Sequence, residues 1–301
     1  MHRHGAVFAQ AGTAPEFYGG AWHMPCSNPK TEAYSRMYFI DTHAHIYPDA
    51  IALKAAASIG TFYDIPCEMD GTLAGLLTHG AAAGVERFLV HSVATTQERV
   101  HAINDYLMRT AAQMPEKLIG FGTLHPDYPD VAGEAERIKA GGLHGVKLHP
   151  DIQQFLADDE KAVEMFRILA ENGLPVLVHT GDMRYPYSQP ERIARVLDRV
   201  PQLKIICTHL GGWSVWTEAW KVLAGRPNVW VDSSSSLYSL RPEQAAEVIR
   251  HYGADRVFFG TDYPMWKPEM EVQRFLSLPL TPEEQEMIAH KNFEAFLADL
   301  K

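Results

Sequence analysis

The chain has 301 residues, of which 46% are hydrophobic and 21% charged, enough to bury the core of one large α/β domain or two smaller ones. Its net charge of −10 argues against nucleic acid as a partner, because phosphate backbones bind clustered Lys and Arg. No apolar run reaches the roughly 18 residues of a membrane-spanning helix, so no membrane partner is expected. Three cysteines without a C-x-x-C spacing predict no disulfide framework and favour a reducing, cytoplasmic location.

Residues 1–36 differ in composition from the rest of the chain. They are rich in Ala, Gly and Pro and show neither helical nor strand periodicity. The apolar stretch from Gly5 to Ala9 is too short for the core of a signal peptide. We therefore expect an irregular N-terminal extension, followed by a single folded domain over residues 37–301.

From residue 37 onward, short apolar stretches alternate with amphipathic ones. Strands are predicted at residues 38–42, 86–92, 118–124, 144–149, 175–179, 203–208, 228–232 and 256–260. Helices are predicted at residues 97–113, 158–172, 190–200, 214–224, 242–252 and 282–299, the last opened by the capping sequence Thr281-Pro-Glu-Glu284. Eight β/α units in about 265 residues match the size of a (β/α)8 TIM barrel, the predicted α/β fold. A doubly wound open sheet is the alternative, because strand order cannot be inferred from one sequence.

The first predicted strand leads into Asp41-Thr-His43-Ala-His45. Residues i and i+2 of an extended strand point to the same face, so His43 and His45 present their imidazoles side by side. Such a pair can hold one metal ion. A lone His-x-His is a weak signal, since two hydrogen-bonded structural histidines at a strand end are the commoner case.

Titratable side chains also follow six of the other seven predicted strands. They are His91, His125, Lys147, His149, His179, His209 and Asp262. In a TIM barrel the C-terminal ends of all strands converge at one face, where the catalytic groups of such enzymes lie. This recurrence favours a metal site over a set of isolated structural histidines.

Five segments within residues 39–298 carry a family resemblance. They are Asp41-Thr-His-Ala-His45, Gly145-Val-Lys-Leu-His-Pro150, Val176-Leu-Val-His-Thr-Gly181, Thr208-His-Leu-Gly-Gly212 and Phe259-Gly-Thr-Asp-Tyr-Pro264. Their order resembles the amidohydrolase superfamily of metal-dependent hydrolases. The similarity is to the amidohydrolase-2 branch in particular, which also contains aminocarboxymuconate-semialdehyde and resorcylate decarboxylases.

The resemblance implies that four residues bind one divalent ion: His43, His45, His179 and Asp262. Zinc is the expected metal and manganese the alternative, since neutral imidazoles with a carboxylate suit zinc and leave a position for water. Asp262 would also accept and return a proton, although a helix N-cap is its alternative role. By the same resemblance, His209 would polarise the substrate and shuttle a proton, or bind a second metal.

Lys147 decides whether one ion or two are expected. Its segment is similar to that of dihydroorotase-type relatives, in which a carboxylated lysine bridges two metals. A carboxylated Lys147 would place His179 and His209 on a second ion. Otherwise its ammonium would bind an anion beside the metal, or pair with a carboxylate. One ion is favoured, because the branch that contains the decarboxylases mostly uses one.

The loop from Gly181 to Ser188 offers candidate substrate-binding residues. Arg184 is placed to clamp a carboxylate, and Tyr185 offers a flat apolar surface. His149, at the end of the fourth predicted strand, is the third candidate. A salt bridge within the loop is an equally good role for Arg184.

Two reactions on a small-molecule substrate fit these residues. In a hydrolase, a metal-activated water attacks an amide, lactone or ester carbonyl of a small anionic substrate, with Asp262 moving the proton and His209 stabilising the oxyanion. In a lyase, the metal chelates the carboxylate of an unsaturated or aromatic acid, and Asp262 or His209 protonates the carbon as carbon dioxide leaves. The hydrolase is preferred here, because the chain is shorter than most decarboxylases of the branch. A homodimer is common among relatives, although no sequence stripe marks an interface.

Overall fold

The computed structural model describes residues 37–300, and every element below lies within them. The extension predicted over residues 1–36 lies outside the described residues, so the division into extension and domain stays a prediction. Among the described residues, no helix is both long enough and apolar enough to cross a membrane.

Within this range, nine short strands, all parallel, form two hydrogen-bonded sheets. The first sheet contains β1 (Phe39–His45), β2 (Val85–His91) and β3 (Leu118–Gly120). The second contains β4 (Gly122–Thr123), β5 (Val146–Leu148), β6 (Val176–Val178), β7 (Ile205–Cys207), β8 (Val229–Asp232) and β9 (Val257–Phe258). In each sheet the strands follow chain order.

The two sheets join where β3 passes into β4. Only Phe121 separates the two strands, and its N–H donates to Val90 O of β2 at 3.0 Å. The next residue, Gly122, donates to Gly145 O on the other side at 2.8 Å. β3 and β4 are therefore two halves of one strand that changes partners at Phe121, which reduces the nine segments to eight barrel strands.

The opposite edges of the sheets also meet. Thr42 N–H of β1 donates to Phe259 O, directly after β9, at 2.9 Å. Further along, Ala44 pairs in parallel with Tyr263. The strands consequently close into a parallel barrel, and the open doubly wound sheet is excluded.

Twelve α-helices accompany the described strands. They are α1 (Asp49–Tyr63), α2 (Leu73–Ala82), α3 (Val100–Gln113), α4 (Val131–Ala140), α5 (Pro150–Gln153), α6 (Glu160–Glu171), α7 (Pro190–Arg199), α8 (Trp216–Leu223), α9 (Pro242–Tyr252), α10 (Pro268–Leu276), α11 (Pro282–Glu286) and α12 (Asn292–Ala298). The predicted capping of the last helical region is confirmed, because Thr281 and Glu284 exchange hydrogen bonds between side chain and backbone. That region is interrupted by a π-helical turn at Met287–Lys291, whose Ile288 carbonyl accepts from Phe259 N–H at 3.0 Å.

The connection between β1 and β2 differs from the sequence prediction, which placed no helix there. It contains α1 and α2, of 15 and 10 residues. The buried positions of α1 are Ala52, Ala56 and Gly60. Because these side chains are small, the buried face carries no strong hydrophobic period. The error matters for function, because α1 ends beside the site described below.

Apolar side chains fill the barrel beneath the site. Side chains alternate along a strand, so one set points into the barrel and the other packs against the helices. The inner set forms a buried cluster of its own: Ile40, Leu89, Ile119, Phe121, Leu177, Ile206 and Phe258, with Phe293 and Phe296 of α12. The packed interior leaves the ends of the strands as the place for polar chemistry.

Candidate metal centre

Most of the titratable side chains predicted at the strand ends meet at one mouth of the barrel, whereas His125 lies outside the cavity, with Nε2 at 3.3 Å from Gln153 O. Seven of them line a single cavity of about 870 Å³: His43, His45, Lys147, His149, His179, His209 and Asp262. The parallel register explains this convergence, since β1 and β2 place His45 directly beside His91. Polar groups that lie far apart in the chain are thus brought within a few ångströms of each other.

One carboxylate oxygen of Asp262 lies between the two histidines of the first strand. Asp262 Oδ1 is 3.3 Å from His43 Nε2 and 3.5 Å from His45 Nε2. The backbone fixes this arrangement, because Asp262 N–H donates to His43 O at 2.9 Å. Two imidazole nitrogens and one carboxylate oxygen therefore form a compact N/O donor set at the end of β1.

Asp232, the last residue of β8, contacts Nδ1 of His43, the ring nitrogen that does not face Asp262. Its Oδ2 lies 2.9 Å from His43 Nδ1, and its Oδ1 accepts from the backbone N–H of His209 at 3.0 Å. Burial would raise the pKa of this carboxyl, but His43 and neighbouring hydrogen bonds hold the pKa below its usual value. A carboxylate on one imidazole nitrogen fixes the tautomer, so His43 presents Nε2 to the site. Asp232 was not among the predicted site residues. It is nevertheless the last residue of the seventh predicted strand, and a polar residue at a strand end is the signal by which the other candidates were found.

His179, His209 and His149 form a second set, which adjoins the first because the ring of His209 stacks on that of His43 with 5.1 Å between centroids. His209 Nε2 lies 3.0 Å from His179 Nδ1, and the ring of His149 stacks on that of His179 with 3.9 Å between centroids. Tyr63, the last residue of α1, brings its hydroxyl to 2.7 Å from His149 Nε2 and 3.4 Å from His179 Nδ1. No sequence signal pointed to Tyr63, because its helix was not predicted.

His209 and Asp262 both have a backbone conformation that is uncommon outside glycine. The φ angle is 61° at His209 and 58° at Asp262. The turn after β7 continues through Gly211 at φ 80°, where a Cβ atom would lie 2.0 Å from the Tyr252 hydroxyl. Left-handed residues of this kind cluster at functional sites, since strain persists only where the surroundings enforce it. Here the two turns aim both side chains at the mouth.

Lys147 extends into the centre of the same cluster. Its neighbours Val146 and Leu148 belong to the outer hydrophobic cluster, so the alternation of β5 turns Lys147 inward. The Nζ atom lies 3.2 Å from His43 Nε2, and the side chain is fully buried. Within residues 37–300 no carboxylate forms an ion pair with it. Burial lowers the pKa of Lys147 to about 8.

The donors fit a divalent transition metal. Within the part of the chain that the structure describes, three groups could hold an ion: His43 with His45 and His91, His43 with His209 and Asp232, and His149 with Asp151 and His179. Several buried ring nitrogens have no hydrogen-bond partner there: His45 Nδ1, both nitrogens of His91, and His179 Nε2. Because buried polar groups are nearly always paired, these free nitrogens fit metal coordination, and imidazole with carboxylate suits a divalent ion.

The protonation of the site agrees with that fit. Burial lowers the pKa of every histidine that lines the cavity: His43, His45, His149, His179 and His209, the last to about 4. Burial alone would raise the pKa of Asp262, but His43 and His45 hold it well below its usual range. Neutral imidazoles and an ionised carboxylate are the forms that bind metals.

A crevice lined by aromatic side chains lies above His209 and Asp262. Tyr63, Trp213, Tyr238 and Trp266 line it together with Ser235. Trp266 Nε1–H donates to Ser235 Oγ at 2.9 Å, and Ser235 Oγ–H in turn donates to Asp262 Oδ2. The crevice encloses only about 10 Å³, room for about one water molecule, so these side chains cover Asp262 and His209.

Residues 40–298 match the family model described as Amidohydrolase. The chain belongs to this family. The match covers all of the segments that carried the resemblance, so the chain is an enzyme of the amidohydrolase superfamily.

Solved structures support the barrel fold of this amidohydrolase. The uncharacterised TIM-barrel protein Bb4693 of Bordetella bronchiseptica matches with a TM-score of 0.72 and 24% identity, over 88% of this chain and 99% of that one. The 5-carboxyvanillate decarboxylase of Novosphingobium aromaticivorans, complexed with manganese and a nitrobenzoic acid, matches with a TM-score of 0.69 and 18% identity, over 88% and 97%. At these identities the likeness shows the fold, and the predicted TIM barrel is confirmed.

One curated relative matches part of the amidohydrolase chain. The decarboxylase orsB of Emericella nidulans is 30% identical over 134 residues, which are 35% of this chain and 37% of that protein. The match thus spans little more than a third of the relative.

Two of the three predicted substrate-binding residues do not line the cavity of the amidohydrolase, although both contact Phe62, which does. Arg184 is paired within its own loop, with Nη2 at 2.7 Å from Asp182 Oδ2, and its Nη1 donates to Phe62 O at 2.9 Å. Its guanidinium also lies over the ring of Tyr185 at 5.3 Å. The structure thus shows the loop salt bridge. A substrate role for Arg184 or Tyr185 stays a prediction, whereas His149 does line the cavity.

Proposed function

We propose that this amidohydrolase is a metal-dependent, non-oxidative decarboxylase of an aromatic or unsaturated carboxylic acid. The observation that carries the proposal is Lys147, a buried ammonium beside His43 with no carboxylate partner among the described residues. A buried cation is costly unless it is paired, so an anionic group of the substrate is its natural partner.

The comparisons support this reaction over hydrolysis, which the sequence alone favoured. The curated relative is named a decarboxylase, and so is one of the structural neighbours, which holds a nitrobenzoic acid. The cavity of about 870 Å³ that the donor set lines has room for a flat ring beside Asp262. Decarboxylation, the alternative reaction predicted from the sequence, is therefore preferred to hydrolysis.

The proposed ligands of the ion are His43, His45, His179 and Asp262. Manganese is preferred to zinc, because a structural neighbour was solved with manganese. When bound, the ion supplies positive charge that holds and polarises an anionic substrate. One ion is proposed, with Lys147 as the free ammonium. Asp232 keeps His43 in the ligand tautomer.

Different side chains of the site serve different steps of the proposed reaction. Lys147 binds and orients the substrate carboxylate, while Phe62 and Tyr63, which line the same cavity, lie beside the ring. Breaking the carbon–carbon bond releases carbon dioxide and leaves the electron pair on the ring carbon. A proton must then reach that carbon to form the new C–H bond. Water is the source of this proton, because the site keeps Asp262 ionised and His209 neutral, and these two residues are placed to relay it to the carbon.

The test is a substrate panel of hydroxybenzoates, lactones, esters and amides, assayed with protein loaded with manganese or with zinc. Carbon dioxide and the decarboxylated product should appear in equal amounts with at least one aromatic acid. The double variant H43A/H45A is the control for metal dependence. Hydrolysis of a lactone, ester or amide without any release of carbon dioxide would show that the proposal is wrong.

A further inference from the structure

The cavity continues well beyond the metal centre. Besides the site residues, it is lined by one face of α1 and by the segment that runs from the end of β2 into α3. We call this extension the outer groove, defined by Ile51, Ala55, Ile59, Phe62, Val93, Ala102, Ile103 and Tyr106. It opens directly from the mouth, because Tyr63 and His45 line the same cavity.

The walls of the outer groove are apolar and partly open to solvent. Ile51, on α1, is 50% exposed, whereas most large hydrophobic side chains of this chain are buried. Ala55 and Ile59 continue the same helix face toward the site, and Ile103 and Tyr106 of α3 face them. Apolar surface kept in contact with water favours a ligand that covers it.

The size of the cavity exceeds what a single-ring acid needs. About 870 Å³ lies near the upper end of the roughly 300–1,000 Å³ that encloses a drug-sized ligand. The ring of the substrate would occupy only the inner part, between the donor set and the aromatic crevice. The remaining volume is the outer groove.

We propose that the outer groove binds an extended apolar substituent of the substrate, such as an alkyl chain carried by an aromatic acid. This inference rests on the proposed decarboxylation for the head of the molecule. The occupant is taken to be the substrate, because the groove is continuous with the donor set. Among the described residues that line the cavity beyond the metal centre, the charged ones are Lys54, Glu98 and Arg99, and all three are exposed. The far end of the substituent therefore reaches solvent.

The test uses equilibrium binding, so that it does not depend on turnover. Titration calorimetry with manganese-loaded protein compares hydroxybenzoates that carry hydrogen, methyl, butyl or octyl groups, in separate series with the chain ortho or para to the carboxylate. Each methylene that the groove buries should tighten binding about fourfold in one of the two series. Absence of any dependence on chain length in both series would overturn the proposal.

Ala55 and Ala57 provide matched variants on the same helix. Ala55 lines the groove, whereas Ala57 is exposed on the other side of α1. Ala55→Phe should remove the gain from the octyl chain and leave the unsubstituted acid bound as before, and Ala57→Phe should change neither. Ala102→Phe obstructs the opposite wall and should repeat the result if Ala55→Phe does not fold. The inference would be refuted if both groove variants bound the octyl compounds as tightly as the wild-type protein does. If binding depends on the length of the alkyl chain but no acid releases carbon dioxide, the outer groove is correctly assigned and the proposed decarboxylation is wrong.

Discussion

Asp232 Oδ2 lies 2.9 Å from His43 Nδ1, although the two residues are 189 positions apart in the chain. Both side chains are fully buried, so the pair is shielded from solvent and from screening by salt. A carboxylate in this position determines which ring nitrogen faces the metal and raises its basicity. The pair therefore links the end of β8 to His43, the first of the proposed ligands.

Replacing Asp232 by Asn should weaken metal binding while the barrel stays folded. Loss of such an outer carboxylate typically costs about 10- to 100-fold in metal affinity, because the ligand tautomer is no longer enforced. Calorimetric titration with manganese measures the effect. Asp198→Asn, which changes an acid whose side chain is 62% exposed, is the control. Equal affinities of Asp232→Asn and wild type would contradict the assigned role.

The double variant His43→Ala with His45→Ala should lose stoichiometric metal and keep its fold. Both residues lie at the strand end, outside the apolar cluster that fills the barrel. Elemental analysis after dialysis against a chelator gives the metal content, and far-ultraviolet circular dichroism reports the fold. One tightly held ion in a folded double variant would show that these histidines are not the ligands.

Replacing His209 by Asn should lower kcat more than metal content. Its Nε2 faces His179 Nδ1 at 3.0 Å, and its Nδ1 lies 3.0 Å from Ser234 O, so the ring is held in place to move a proton. Loss of a general acid or base typically reduces the rate about 100- to 10,000-fold. Steady-state kinetics and metal analysis on the same sample separate the two effects. A parallel loss of metal would indicate a ligand instead.

Lys147→Met should raise KM for an anionic substrate. Hydrogen bonds to charged groups contribute roughly 1.5–3 kcal/mol, which corresponds to a change of about 10- to 100-fold. Intact-mass measurement of the wild-type protein under native conditions tests for a carboxyl adduct on the lysine. An adduct accompanied by about two ions per chain would replace the free ammonium by the bridged, binuclear form.

Glu271, which forms an ion pair with Arg274, should make stability depend on pH. Burial raises the pKa of Glu271 from 4.5 to about 7. The native state then binds the proton of Glu271 more tightly than the unfolded state does. The contribution of Glu271 to the free energy of unfolding therefore decreases as the pH rises from about 4.5 to 7. Glu271→Gln should therefore gain stability relative to wild type between pH 5 and pH 8, by on the order of 1–2 kcal/mol.

Urea unfolding at the two pH values measures the Glu271 effect. Glu283→Gln changes an exposed acid at the start of α11 and serves as the control. A difference between Glu271→Gln and wild type that is the same at both pH values would argue against the raised pKa.

Much of the barrel and two of the four proposed ligands could be predicted from local patterns. Apolar strands can be recognised from their composition, and once a strand is recognised the residue at its end is known as well. His43 and His45 share a face because the side-chain period of a strand is two residues. The capping box at Thr281 is equally local, since all of its atoms lie within one helical turn.

The parts that escaped prediction depend on distant residues or on weak periodicity. Tyr63 belongs to α1, whose buried face of small residues resembles no amphipathic pattern. The division of the third strand at Phe121 follows from a change of neighbours, which no single segment encodes. The pairing of Arg184 with Asp182 also required coordinates, because an exposed loop sequence is compatible with either partner.

By itself, the sequence determined the order of strands and helices and the residue types at the strand ends, because these follow from the periodicity and chemistry of short segments. Only the tertiary structure decided that β9 closes onto β1 and that Asp262 Oδ1 lies between His43 and His45. It also decided that Lys147 is buried beside them without a carboxylate partner among the described residues. These relationships depend on backbone hydrogen bonds between strands some 200 residues apart, and such bonds form only when the barrel closes.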